Sequence, residues 1–188
     1  METNETLEHN ESLKIIEEMV QKARFNFSSG SFYFIWWGAL LIVAALIQHF
    51  YAGDLNWIGW PVAGVVGGIG SAIYGAKMQK TGPMMHLDRV YSAIWITFFI
   101  TLIFMLVALV PKGIDPNGYI MIIAGFPTLL TGIVLKFKPL QYGGVAFWVL
   151  GLVSIFVFPE SSSLIYAFSM LAGYVIPGFI MKSMRANV

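Results

Sequence analysis

Residues 118–158 read GYIMIIAGFPTLLTGIVLKFKPLQYGGVAFWVLGLVSIFVF, and the fold turns on Lys136 and Lys138 in the middle of that run. Without them the stretch would be one long apolar helix. Holding two ammonium groups at the centre of a bilayer costs several kcal/mol. The segment Lys136-Phe137-Lys138-Pro139 is therefore read as a break between two membrane crossings, 118–137 and 140–158.

Working outward, a hydrocarbon core of about 30 Å needs roughly 20 apolar residues in a helix. Four further segments meet that length: 31–51, 57–77, 90–110 and 162–181. Turn or charge signals separate them, among them Ala52-Gly53-Asp54, Lys80-Thr81-Gly82-Pro83, Pro111-Lys112-Gly113 and Pro159-Glu160-Ser161. Composition agrees. Of 188 residues, 57% are hydrophobic and 11% charged, against about 25% charged in soluble domains. So few charges could not cover a folded surface in water. The expected fold is all-α: a polytopic membrane protein of six transmembrane helices with the lipid bilayer as its solvent.

Orientation follows from Lys and Arg. With the N-terminus inside, Lys14, Lys22, Arg24, Lys77, Lys80, Arg89, Lys136, Lys138, Lys182 and Arg185 all fall on the inner side. Of the 11 basic residues, Lys112 alone falls outside. This positive-inside bias predicts both termini in the cytoplasm. The first 30 residues carry Glu2, Glu5, Glu8, Glu11, Glu17 and Glu18 and do not read as a signal peptide.

The six helices pair into three hairpins. The first helix of each has a tryptophan in its cytoplasmic half: Trp37, Trp95 and Trp148. The second has small residues and a proline: Pro61 and Gly64, Gly125 and Pro127, Gly173 and Pro177. Each second helix ends in Lys77, Lys136 or Lys182. The pattern predicts parallel repeats about an axis along the membrane normal, hence pseudo-threefold character. Independent drift toward membrane composition would also produce it. Mitochondrial carriers share the three hairpins, but their acidic-basic signature after each odd helix and their long matrix segments are missing here.

Several groups invite a functional reading. Trp37, Trp95 and Trp148, with the helix-kinking Pro127 and Pro177, are candidates to line a ligand site or cavity. Kinked helices free carbonyls that can face a polar cavity. The plain alternative is interfacial aromatics and static kinks served by Thr128, Thr131 or Ser169. In the second crossing Gly64, Gly68 and Ala72 recur every four residues, flanked by Gly67, Ser71 and Gly75. Small residues at that spacing let helix backbones approach closely. We read them as packing within the bundle, on a central helix with neighbours on both sides. The alternative is a homo-oligomer interface.

Other chemistries find little support. The net charge of +1 excludes a strongly basic nucleic-acid binder. The chain has no cysteine, so thiolate metal sites and Cys nucleophiles are absent. His9 and His86 lie on the opposite side from His49, so the three cannot share a haem or zinc, and no cofactor is expected. No crossing holds an ionisable residue at mid-membrane, where such groups mark proton and ion pathways. A non-enzymatic role is the expectation.

Residues 1–30 form a cytoplasmic segment ahead of the 31–188 transmembrane domain. Within it, about residues 10–27 read as an amphipathic helix, with Leu13, Ile16, Val20, Ala23 and Phe27 at helical spacing and Asn10 as N-cap. The helix is expected to dock on the protein's own basic loops or to hold a cytoplasmic protein partner. At Glu11-Ser12-Leu13-Lys14-Ile15-Ile16-Glu17-Glu18-Met19 and Phe34-Ile35-Trp36-Trp37-Gly38 the chain resembles a group of small bacterial multi-span membrane proteins. The resemblance implies a bacterial inner membrane and carries no activity or site. The expected function is binding or regulation through the N-terminal helix. The alternative is a permease or channel for a small neutral or lipophilic solute.

Overall fold

A computed structural model of the chain describes residues 30–51, 53, 55–79 and 86–186. The amphipathic helix expected at 10–27 lies outside these residues. Among the described residues every regular element is helical. Six stretches are long and apolar enough to cross a membrane: Ser31–Phe50, Asn56–Lys77, Arg89–Lys112, Asn117–Val134, Lys138–Phe156 and Pro159–Met184. Their ends agree with the sequence-derived limits to within three residues.

The helices are α1 (Ser31–Phe50), α2 (Gly59–Gln79), α3 (His86–Leu109), α4 (Asn117–Val134), α5 (Lys138–Phe156), α6 (Ser162–Met170) and α7 (Ile176–Ala186). A π-helical turn, Leu171–Val175, joins α6 to α7 within the sixth crossing. Gly30 holds the N-cap position of α1, without a side-chain cap bond. Pro61 sits in the first turn of α2, where the missing N–H would have no helical partner anyway.

The break at Lys136 and Lys138 has a defined geometry. Lys136 takes the left-handed conformation at φ 52°. The Phe137 N–H donates to the Gly132 carbonyl at 2.8 Å and the Lys136 N–H to the Ile133 carbonyl at 3.0 Å. That pair of bonds is a Schellman motif, in which glycine usually holds the left-handed position. Phe137 is then extended, and Pro139 falls in the first turn of α5. The Gln141 side chain donates from Nε2 to the same Gly132 carbonyl at 2.9 Å, adding a second bond at this helix end.

The helices fall into an inner and an outer set. The pair α4·α5 is the most extensively packed, followed by α1 against the whole sixth crossing. Phe147, Met121, Leu140, Met170 and Tyr166 are fully buried among these helices. The outer set is α2, which leans chiefly on α1, and α3, which packs mainly on α4. Phe104 of α3 is 72% exposed and Val107 68%, an apolar flank suited to lipid. A threefold arrangement would make the 2–3, 4–5 and 6–1 junctions alike. Among the described residues the last two are closely packed and the first is not.

Candidate functional site

The five residues expected to line a cavity do not meet in one. Trp37, on α1, packs against α2: its Nε1 donates to the Ser71 Oγ at 3.0 Å, and its ring faces Gly67. Trp95 points inward, with Phe34 at 6.0 Å and Tyr174 at 6.2 Å between ring centres. Trp148 covers Gly125 and donates from Nε1 to the Ile122 carbonyl at 3.0 Å. Pro127 removes the donor that would serve the Ile123 carbonyl, one residue along. Thr128 donates to the Ala124 carbonyl at 2.6 Å. Pro127 and Pro177 are both buried. The kinks are packed rather than open, and Phe34, Trp95, Phe147 and Tyr174 fill the centre.

The small residues of α2 divide into two faces. Gly67, Ser71 and Gly75 turn to α1, where Trp37 and Tyr33 lie over them. A Cβ added at Gly64 or Gly68 would meet nothing within 4 Å, and Ala72 is exposed. Among the described residues, one of the small faces of α2 has a helical neighbour and the other has none.

Close backbone approach occurs instead at helices where it was not expected. A Cβ at Gly144 would stand 2.6 Å from the Leu129 nitrogen, and one at Gly125 2.9 Å from the Gly144 carbonyl oxygen. Gly118, Gly125 and Gly132 of α4 and Gly144 and Gly151 of α5 recur every seven residues. That spacing was the available signal. Gly143 of α5 meets Gly173 of the π turn in the same way, its added Cβ 2.9 Å from the Gly173 Cα.

The densest polar network sits at the end of the bundle opposite Lys136 and Lys138. Asn117 is fully buried at the start of α4. Its N–H donates to Asp115 Oδ1 at 3.2 Å. Its Nδ2 lies 3.1 Å from Gln48 Oε1, 3.3 Å from Ser162 Oγ and 3.4 Å from Asp115 Oδ2. Ser162 donates to the Asp115 carboxylate. Trp60 Nε1 donates to Gln48 Oε1 at 2.9 Å, and Trp60 stands edge-on to Tyr166 at 5.0 Å. Ser163 Oγ and His49 Nδ1 are 3.3 Å apart. The network joins α1, α2, α4 and α6. No motif in the sequence points to this network, because its members are scattered along the chain.

Two cavities among the described residues bear on a site. One, about 440 Å³, is an open apolar groove along Val43, Leu46, Ile47, Phe50 and Tyr51 of α1. The other, about 160 Å³, adjoins the polar network and is lined by Ile114, Asp115, Gly118, Tyr119, Ser154, Ile155, Pro159 and Ser162. Two buried acceptors at this end, Asn117 Oδ1 and Ser154 Oγ, have no hydrogen-bond partner among the described residues. No protein family, curated protein or solved structure matches this chain.

Proposed function

We propose that the chain is a multi-pass protein of a bacterial inner membrane, with both ends in the cytoplasm and a non-enzymatic binding or regulatory role. Residues 1–30 would make the cytoplasmic contact. The observation that carries this reading is the filled interior: Phe34, Trp95, Phe147 and Tyr174 meet at the centre, and Pro127 and Pro177 are buried. A bundle packed through its middle suits holding a partner better than passing a solute. The distribution of Lys and Arg supports the orientation. Capture of cytoplasmic partners by the full chain, compared with a chain lacking residues 1–27, tests the role. Unchanged partners and phenotype would overturn it. Reporter tags near residues 84 and 114 should lie on opposite sides of the membrane.

One observation favours permeation of a small neutral or lipophilic solute instead. The π turn Leu171–Val175 runs directly into Pro177, and π turns inside helices often mark functional positions. The chain has no native cysteine, so single cysteines near Pro127, Trp148 and Pro177 can be labelled without background. Labelling from either side would favour a pathway; uniform silence would remove it.

A further inference from the structure

We propose that the 160 Å³ cavity beside Asp115 binds a small ligand bearing a primary ammonium group. The proposal is independent of the N-terminal contact.

Three observations point to it. Ser154 is 2% exposed and lines the cavity, yet its Oγ has no partner among the described residues. A buried hydroxyl left without a bond costs on the order of 1–3 kcal/mol, so a ligand that pairs with it gains. Asp115 is exposed at the same cavity, and its carboxylate supplies charge where a ligand would enter. Apart from Gly118 and Ser162, whose hydroxyl is already bonded to Asp115, the rest of the wall is apolar: Ile114, Ile155, Pro159 and the Tyr119 ring. A short alkylammonium matches all three. Its N–H groups meet Asp115 and Ser154, and its carbon atoms meet the wall.

The sign of the ligand's charge follows from the same groups. Helix N-termini attract anions, and α4 and α6 both begin here. The Asp115 carboxylate already takes the first N–H of α4 and the Ser162 hydroxyl. A second anion would face that charge directly. Lys112, in the preceding turn, is not among the lining residues. Size sets a further limit. The cavity equals the liquid volume of about five waters, below the several hundred Å³ of pockets for drug-sized ligands.

Such an ammonium group could come from a free amine or from an ethanolamine lipid headgroup, and the test separates them. The purified full-length chain is placed in phosphatidylglycerol nanodiscs and titrated with methylammonium and with ethanolamine, against potassium at equal ionic strength. Tryptophan fluorescence during thermal unfolding reads binding. We expect a saturable rise in unfolding temperature with both amines and none with potassium. Asp115→Asn should weaken binding tenfold or more, since the bond is charge-assisted. Ser154→Ala should weaken it about fivefold. Because the Ser154 hydroxyl holds no partner among the described residues, Ser154→Ala keeps the fold and keeps the test readable even if Asp115→Asn unfolds.

Nanodiscs containing phosphatidylethanolamine identify the source. Competition with methylammonium there assigns the headgroup; unchanged methylammonium affinity assigns a free amine. Absence of saturable binding in every arm would mean ordered water only and would overturn the proposal. Equal affinity in wild type and Ser154→Ala would overturn it too, as would stabilisation by inorganic phosphate in place of the amines.

Discussion

Helix α2 and the α4·α5 hairpin are both rich in glycine, and they use it in opposite ways. In α2, Gly64 and Gly68 face outward with nothing within reach of an added Cβ. In the hairpin, Gly125 and Gly144 bring two backbones so close that an added Cβ would fall under 3.0 Å from a main-chain atom. The α2 glycines recur every four residues and those of the hairpin every seven. A straight α-helix has 3.6 residues per turn, so both spacings keep residues near one face. Spacing makes a smooth face. Only a neighbour makes that face an interface. In lipid there is little hydrophobic drive between helices, so van der Waals contact and interhelical hydrogen bonds decide where they join.

The contrast can be broken most directly at Gly144. Gly144→Val places new atoms against the Leu129 backbone and should destabilise the bundle by about 3 kcal/mol. Reversible unfolding in mixed detergent micelles would read it. A loss well under 1 kcal/mol would mean that the hairpin helices can part without cost and that the contrast with α2 is unfounded.

Asn117→Ala asks whether the polar end ties the outer α2 to the inner helices. It strips a fully buried amide from between Gln48, Asp115 and Ser162. The expected loss is about 2 kcal/mol. Trp60 should also become more accessible to quenchers, since its Gln48 acceptor loses support.

Lys136→Gly should raise stability by about 1 kcal/mol, because a non-glycine residue pays for the left-handed conformation it adopts there. The same unfolding assay measures it. No gain would indicate that Lys136 holds its place through the charge at the membrane surface.

The smallest effects are expected at Gly64→Ala and Gly68→Ala. With open space beyond both, each should gain about 0.5 kcal/mol from helix propensity. If either instead lowers stability or shifts the mass of the protein–detergent complex, that face of α2 is an interface between copies of the chain.

The polar end shows which parts of a site were legible. Asp115 and His49 stand out individually as polar groups beside apolar runs. Nothing in their spacing joins Gln48 to Asn117 or His49 to Ser163. Those pairs exist because α1 packs on the sixth crossing and α4 rises beside it. The tryptophans show the converse. Their matched positions in three hairpins suggested equivalent roles, yet one bonds a serine on α2, one enters the aromatic centre, and one caps a carbonyl near a proline kink. A tryptophan's role depends on which helix lies opposite.

Composition and hydropathy determined that six helices of this chain can cross a bilayer, and nearly where each begins and ends. These are properties of a single segment and its solvent: a run of apolar residues long enough for the hydrocarbon, stopped by Lys, Asp or Pro. Tertiary structure alone decided that α4 and α5 close on each other through glycine, that α2 stands at the edge, and that scattered polar residues gather beside one small cavity. Those outcomes depend on contacts between segments far apart in the chain, and in lipid the choice among apolar partners rests on shape, which a one-dimensional pattern does not carry.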